Sequence, residues 1–486
     1  MSFIGIDLGT SFIKGAVLNP DTLTVEHVHR VPFPDPLPGL PPLHREFDPN
    51  AVLAATRSLL AELLPLAGLC EGIVMCSQMH GLVFTTARGE PASNLTTWQD
   101  QRVLEPHPSG RGTCFDVMAG RISAEQIRQL GNELRPGQPV GVLFWLAEQG
   151  RLPGPDLFLA SLPDFVLANL CGTEPTTETT NAMAHGALNL ETLDWHYEVL
   201  AGLGLDRLRW PRIRRHGEVV GHLKVEPRHF GVDGKSVPCY TPVGDYQCAL
   251  TGALLQAGEL SLNISTGSQV SMLASSLEFG DFQTRPFFDG RFLKGVTHIP
   301  AGRALSALVK LLSELAEAQA HAGREAGGPG GRAVLADPWP YIARAAATAG
   351  PTTLQVNLAF FASSCGDRGA ITNIREEELT VGHLFRAAFQ NMADNYYACA
   401  LRLSPERSWR NLVFSGGLAQ KIEVLRALIC EKFGVPHRMC PTTEDTMLGL
   451  LALALAFTGR ADSVEQAIAT LFALNPATWG MEKQNE

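Results

Sequence analysis

Apolar positions along this chain follow two periods. Near-continuous apolar residues over 4–8 and 12–17 predict two buried strands, and the polar Gly9-Thr10-Ser11 between them predicts a tight hairpin. Residues 31–49 are rich in proline and predict an extended loop. Helical spacing follows over 52–66, and an apolar strand over 72–76 then runs into Ser77-Gln78-Met79-His80-Gly81. Residues 158–169 and 305–315 also read as helices. The glycine-rich stretch 323–331 reads as a flexible loop within the second half. The longest apolar run, 447–457, is far short of the ~20 residues that span a bilayer and predicts a buried helix. Such alternation of strands and helices predicts α/β layers.

The first hairpin carries chemistry. Asp7 closes the first strand, where a carboxylate can reach a hydrated Mg²⁺, and Gly9 lets backbone amides approach phosphate oxygens without a Cβ in the way. Thr10 and Ser11 add hydroxyl donors. A second strand follows, which separates the pattern from strand-to-helix phosphate loops. The plan recurs at 259–273, where Ser265-Thr266-Gly267-Ser268 joins two apolar strands. Two copies imply two related domains facing one nucleotide. A third piece, the strand 412–415 breaking at Gly416-Gly417, leaves room for a flat adenine or ribose, with Gln420 opening the following helix. Between the hairpins, Gly244-Asp245-Tyr246-Gln247 places a carboxylate after a short turn. Asp245 suits a general base that takes the proton of an attacking hydroxyl, and it equally suits an N-cap of the helix that follows.

Composition narrows the class. A chain of 486 residues exceeds one hydrophobic core and suits two domains, 1–252 and 253–486. With 39 basic and 49 acidic residues, a net charge of −10 argues against a nucleic-acid footprint. Ten scattered cysteines without a C-x-x-C pair fit reduced thiols in a cytoplasmic protein, and residues 1–20 lack the basic start of a signal peptide. No membrane partner is expected, and a homodimer is left open.

In order along the chain, Asp7-Leu8-Gly9-Thr10, Gln78-Met79-His80-Gly81, Trp98-Gln99-Asp100-Gln101-Arg102, Gly244-Asp245-Tyr246-Gln247, Ser265-Thr266-Gly267 and Gly416-Gly417 resemble the FGGY carbohydrate kinases. The resemblance covers nearly the whole chain. Residues 383–390 are similar to the family's C-terminal signature, with Asn373 where a glycine is expected; Asn also tolerates a left-handed turn. The resemblance implies two actin-like (ribonuclease H-like) ATPase domains closing on ATP, Mg²⁺ and a sugar, with phosphate passed to a terminal hydroxyl. It implies Asp245 as base and Asp7 with Asp245 at the metal. Gly9, Thr10, Ser11, Lys14, Thr266, Gly267, Gly302, Gly416, Gly417 and Gln420 then face the nucleotide, and Gln78, Met79, His80, Trp98, Asp100, Arg102, Asn181 and Gln247 face the sugar.

Trp98 is also readable as core packing, Arg102 as an interdomain ion pair and Asn181 as a loop cap. Short stretches at 78–84, 97–102, 163–172, 262–266 and 379–386 lean toward the sedoheptulokinase branch, which implies a seven-carbon ketose as acceptor; pentulose kinases are the alternative. Glycerol is disfavoured, because glycerol kinases usually carry Arg-Glu where this chain has Met79-His80. An actin-like ATPase without a sugar and a silent sugar-binding regulator are the readings from other classes.

Overall fold

The computed structural model describes residues 1–223, 236–325 and 337–474. β1 (Ser2–Leu8) and β2 (Phe12–Asn19) pair antiparallel with Leu8 opposite Ile13, forming the expected hairpin. β3 (Thr24–Pro32) extends this meander, and β4 (Cys70–Ser77) lies parallel to β1 on its other side. Beyond it come β5 (Val219–Leu223) and β6 (Val237–Tyr240), with the short β7 (Val243–Gly244) against the end of β4. The order is β5-β6-β4-β1-β2-β3.

The second sheet repeats the plan. β8 (Glu259–Ile264) and β9 (Ser268–Ala274) form its hairpin, followed by β10 (Gln283–Pro286), β11 (Phe292–Ile299), β12 (Asn411–Ser415) and β13 (His437–Met439). Their order is β10-β11-β9-β8-β12-β13, with β12 parallel to β8 as β4 is to β1. Register makes the repeat specific: Asp7 faces Lys14 in the first hairpin, and Asn263 faces Gln269 in the second. The penultimate residue of the leading strand is thus a carboxylate in one copy and a neutral amide in the other.

Helices cover and join the sheets. α1 (Pro49–Ala67) starts on an Asp48 cap that accepts the Asn50 amide and buries Val52, Leu59, Leu60, Leu63 and Leu64. Gly15 lets it settle on the sheet, since a Cβ there would lie 2.5 Å from Leu63 Cδ1. The helix expected over 158–169 begins later, as α2 (Leu162–Cys171). Proline at its start blocks N-terminal extension, and Phe158–Ala160 instead pairs with Val83–Thr85. α3 (Thr179–Ala184) and α4 (Asp245–Gly252) precede the second sheet, and α5 (Gly302–Glu325) replaces the shorter helix expected at 305–315. Residues 326–331 of the glycine-rich stretch lie outside the described residues.

α6 (Val381–Leu403) supports the second sheet, the short α7 (Gly417–Lys421) follows the double glycine, and α8 (Asp445–Phe457) is the expected buried helix. α8 runs back to the first sheet. Its Leu450 shares a core with Phe3, Ala16 and Val74, and with Val413 of the second sheet, so α4 and α8 stand between the two sheets. They cross at glycines: a Cβ on Gly252 would overlap the Asp445 carbonyl, and one on Gly449 the Cys248 carbonyl. None of the ten cysteines forms a disulfide. Among the described residues no helix is long and apolar enough to cross a membrane.

Candidate active site

The ends of β1, β4 and β12 and the starts of α4 and α8 converge on a cleft of about 480 Å³. Asp7 is buried there; its Oδ2 accepts the Thr446 hydroxyl at 2.9 Å, while Oδ1 has no partner. Burial pushes its carboxyl above the usual range, against the pull of the Thr446 hydroxyl and of Lys14. Lys14 itself meets Glu444 at 2.9 Å and so ties β2 to the start of α8. Asp245 is the first residue of α4, with Gly244 in the N-cap position, so it is not the N-cap itself, although its carboxyl is steadied by a hydrogen bond from the Tyr246 backbone. Burial and the nearby Asp7 charge hold it at about 7. Asp445, on α8, is pushed by burial to about 6. Three carboxylates held in protonation-prone states suit a divalent cation, which would relieve all three. Among the described residues no three such groups are arranged to hold a metal by themselves, so the cation's shell would be completed by water and phosphate oxygens, a habit of Mg²⁺.

The first hairpin is braced from β4. Gln78 donates its backbone amide to Leu8 and its Nε2 to the Gly9 carbonyl, and its Oε1 accepts the Thr10 hydroxyl at 3.1 Å. Trp98 Nε1 donates to Thr10 Oγ1 at 3.1 Å; the ring is 44% exposed and lines the cleft, which rules out core packing. Gly9 is needed sterically, since a Cβ would sit 2.9 Å from the Phe12 carbonyl. Ser11 is exposed on the turn, outside the cleft lining, where its carbonyl accepts the Phe33 amide. Met79 and His80 form the neighbouring wall. His80 has a left-handed backbone, φ 70°, uncommon for a residue with a Cβ and typical of functional sites. Its Nδ1 lies 2.8 Å from the Ala184 carbonyl and must donate to it. Burial lowers its pKa, so the ring is neutral and Nε2 keeps a lone pair.

Four residues expected at the sugar lie elsewhere. Arg102 is buried and bonded to both Asp100 oxygens, at 2.8 and 2.6 Å, and to Glu46 at 2.6 Å. Asp100 and Arg102 therefore form an ion cluster within the first half of the chain, neither interdomain nor cleft-facing. Asn181 donates to the Pro242 carbonyl at 2.7 Å, holding α3 to the turn ahead of Asp245 instead of capping a loop. Gln247 is buried and donates to the Pro286 carbonyl at 3.1 Å, joining α4 to β10.

A second cavity of about 390 Å³ is lined by Ser265, Thr266, Gly302, Trp339, Gly417 and Lys421. Gly416 has φ 87°, and a Cβ there would lie 2.5 Å from the Ile264 carbonyl, so only glycine lets the chain turn at this point. The helical turn puts residues 417, 418 and 421 on the cavity face and directs Gln420 away, so Lys421 takes the place expected of it. Gly267 is exposed at the hairpin tip and lines neither cavity; its carbonyl accepts the Ser265 amide. Asn263 and Gln269 of the same hairpin line the first cleft, so this hairpin stands between the two cavities. Asn373 has φ 56°, the left-handed turn expected of it.

Sequence reasoning missed Asp445, Thr446 and Arg285 in the cleft wall. An acid just ahead of the apolar run 447–457 was a usable signal for the first two; nothing local marks Arg285.

Relatives share this architecture. The chain is 25% identical to the sedoheptulokinase of Homo sapiens over an alignment covering 89% of this chain and 93% of that one. Among solved structures, Plasmodium falciparum glycerol kinase with ADP superposes with a TM-score of 0.79 at 16% identity, covering 97% of this chain and 92% of that one. A ligand-bound xylulose kinase from Lactobacillus acidophilus gives 0.76 at 19% identity, covering 99% of both. The sequence model of the FGGY family of carbohydrate kinases, N-terminal domain, matches residues 2–252, more than half of the chain. On that match and the doubled actin-like fold, the chain belongs to the FGGY family of carbohydrate kinases and is an ATP-dependent carbohydrate kinase.

Proposed function

We propose that this kinase transfers the γ-phosphoryl group of ATP to the terminal hydroxyl of a seven-carbon ketose, giving sedoheptulose 7-phosphate. The observation that carries the reading is Asp245, at the cleft between the hairpins with its carboxyl held near neutrality. Likeness to a sedoheptulokinase over most of the chain supports the choice of sugar. Asp245 takes the proton of the acceptor hydroxyl as that oxygen bonds to phosphorus and the bond to ADP breaks. Asp7 and Asp245 would hold a hydrated Mg²⁺, which would supply charge neutralisation at the phosphate oxygens. Gly9, Thr10 and Lys14 grip phosphate from one lobe, residues 1–252. Thr266 does so from the other, residues 253–486, where Gly302, Gly416 and Gly417 make room for adenosine. His80 Nε2 accepts a sugar hydroxyl, Met79 forms the apolar wall, and lobe closure keeps water from the phosphoryl group.

Specificity constants for sedoheptulose, xylulose, ribulose and glycerol with ATP and Mg²⁺ test the acceptor. Sedoheptulose is expected to lead; a clear win for xylulose or glycerol overturns the branch. The nucleotide side has its own test. A Cβ on Gly302 would lie 2.8 Å from the Ser265 carbonyl, so Gly302→Val displaces the second hairpin. The KM for ATP is expected to rise about tenfold or more, a loss of about 1.4 kcal/mol, and by more than the KM for the sugar, whose cleft the same hairpin also borders.

A further inference from the structure

Arg285 enters the cleft from β10, on the opposite sheet from Met79 and His80. It is 7% exposed, and every part of it but one is engaged. Nε donates to Glu133 Oε2 at 2.6 Å and Nη2 donates to Glu133 Oε1, a bidentate pair that fixes the plane of the fork. One face of the guanidinium lies 4.8 Å from the centre of the Tyr246 ring, the residue after Asp245. Nη1 has no partner among the described residues and is not sealed in the protein, so it is the edge left open to the cleft.

Its supports are as constrained. Glu133 is 2% exposed, its backbone carbonyl accepts Gln138 Nε2, and Arg135 adds a second cation at 3.4 Å. The two arginines hold its carboxyl down at about 2, so it stays charged and keeps its grip. β10 is pinned to the first half at further points. Thr284 donates its amide to the Gly131 carbonyl, Asn132 Nδ2 donates to the Phe282 carbonyl, and Gln247 of α4 donates to the Pro286 carbonyl. The guanidinium is therefore pre-organised and does not wait for the ligand to order it.

We infer that Arg285 is a specificity-determining residue of the acceptor site, donating from Nη1 to an oxygen of the polyol that His80 Nε2 accepts from. The two groups are complementary. A guanidinium only donates, and a His80 ring whose Nδ1–H is spent on Ala184 can only accept. An acceptor satisfying both carries a hydroxyl hydrogen on one side and an oxygen lone pair on the other, with its reacting hydroxyl at Asp245. Polyols and ketoses meet this demand at neighbouring carbons. An analogue lacking the oxygen over Arg285 leaves the Nη1 donor of a charged fork facing the cleft unpaired, which penalises it more than a lost neutral contact would. Because Arg285 belongs to the second sheet and its anchor Glu133 to the first half, a bound acceptor is gripped from both sides of the cleft.

This inference rests on the reading of the cleft as a sugar site, and the test keeps the two apart. The acceptor used is whichever of sedoheptulose, xylulose, ribulose and glycerol the wild-type enzyme turns over best, together with its monodeoxy analogues. Arg285→Gln is expected to raise the KM for the acceptor by roughly ten- to a hundredfold, the range for one hydrogen bond to a charged group, with the KM for ATP nearly unchanged. Arg285→Lys recovers part of the loss. For one monodeoxy analogue the penalty seen in the wild type disappears in Arg285→Gln, a response that a structural role would not produce. Should the unpaired Glu133 prevent folding of the single variant, Glu133→Gln with Arg285→Gln removes both charges and is read the same way. An unchanged acceptor KM, an equal rise in the ATP KM, or undiminished discrimination against every deoxy analogue overturns the role of Arg285 and leaves the sugar site standing. A wild-type enzyme that phosphorylates none of the four overturns both.

Discussion

Asp245→Asn is expected to lower kcat by roughly two to four orders of magnitude, the contribution typical of a positioned general base, with little change in the KM for ATP. A merely structural acid would lose far less. The pH dependence gives a second reading of the same group. In the ligand-free protein burial and Asp7 hold its carboxyl at about 7, above the ordinary 3.8. The folded state then binds this proton more tightly than the unfolded chain, so its contribution to stability falls as pH rises from near 4 to about 7. Asparagine removes that penalty. The melting temperature of the variant should match the wild type at pH 4 and exceed it by pH 8, measured without Mg²⁺ or nucleotide. In the wild type, kcat/KM for the acceptor should fall with acid below an apparent pKa at or under 7, because a bound cation favours the ionised form. Equal melting temperatures at pH 8 would mean that the carboxyl is not strained by burial.

Gly252→Ala and Gly449→Ala are expected to be the most damaging methyl-sized changes in the core. Each added Cβ would overlap backbone of the facing helix, the Asp445 and Cys248 carbonyls respectively, and backbone cannot swing aside as a side chain does. Over-packing of this kind costs about 1–3 kcal/mol and occasionally more. The loss should reach function as well as stability, because α4 begins at Asp245 and α8 at Asp445. Prising the helices apart moves two of the three cleft carboxylates relative to each other. Thermal unfolding and kcat are therefore expected to fall together, whereas Gly459→Ala, beyond the end of α8 with nothing within 4 Å of its Cβ position, should affect stability through backbone strain alone. A Gly252→Ala enzyme with wild-type stability and rate would contradict the close crossing.

Much of the fold was legible because the decisive signals are local. A polar glycine turn between two apolar strands marks each hairpin, and both hairpins stand where that pattern placed them. The run at 447–457 announced a helix buried on all sides, although not that it would lie against the first sheet. The site was legible only in part. Met79, His80 and Trp98 reach the cleft together with Asp7 and Asp245. Asp100 and Arg102 share the residue types of a ligand site yet satisfy each other, and sequence does not distinguish a carboxylate waiting for a ligand from one already paired. Arg285 failed in the opposite direction. Its partner Glu133 is remote in sequence, so only the topology that lays residues 131–133 against β10 makes the pair. Gln420 missed by one helical position, a matter of 100° around a short helix that begins one residue after the glycine bend.

The most direct test of the central claim is the rate of ADP formation from ATP and Mg²⁺ with and without sedoheptulose, with the products identified by mass. Slow ADP release without sugar, strong stimulation by the ketose, stoichiometric ketose phosphate, and loss of that stimulation in Asp245→Asn are expected. ADP formed at the same rate without an acceptor, or sugar bound with no phosphorylated product, would contradict the claim.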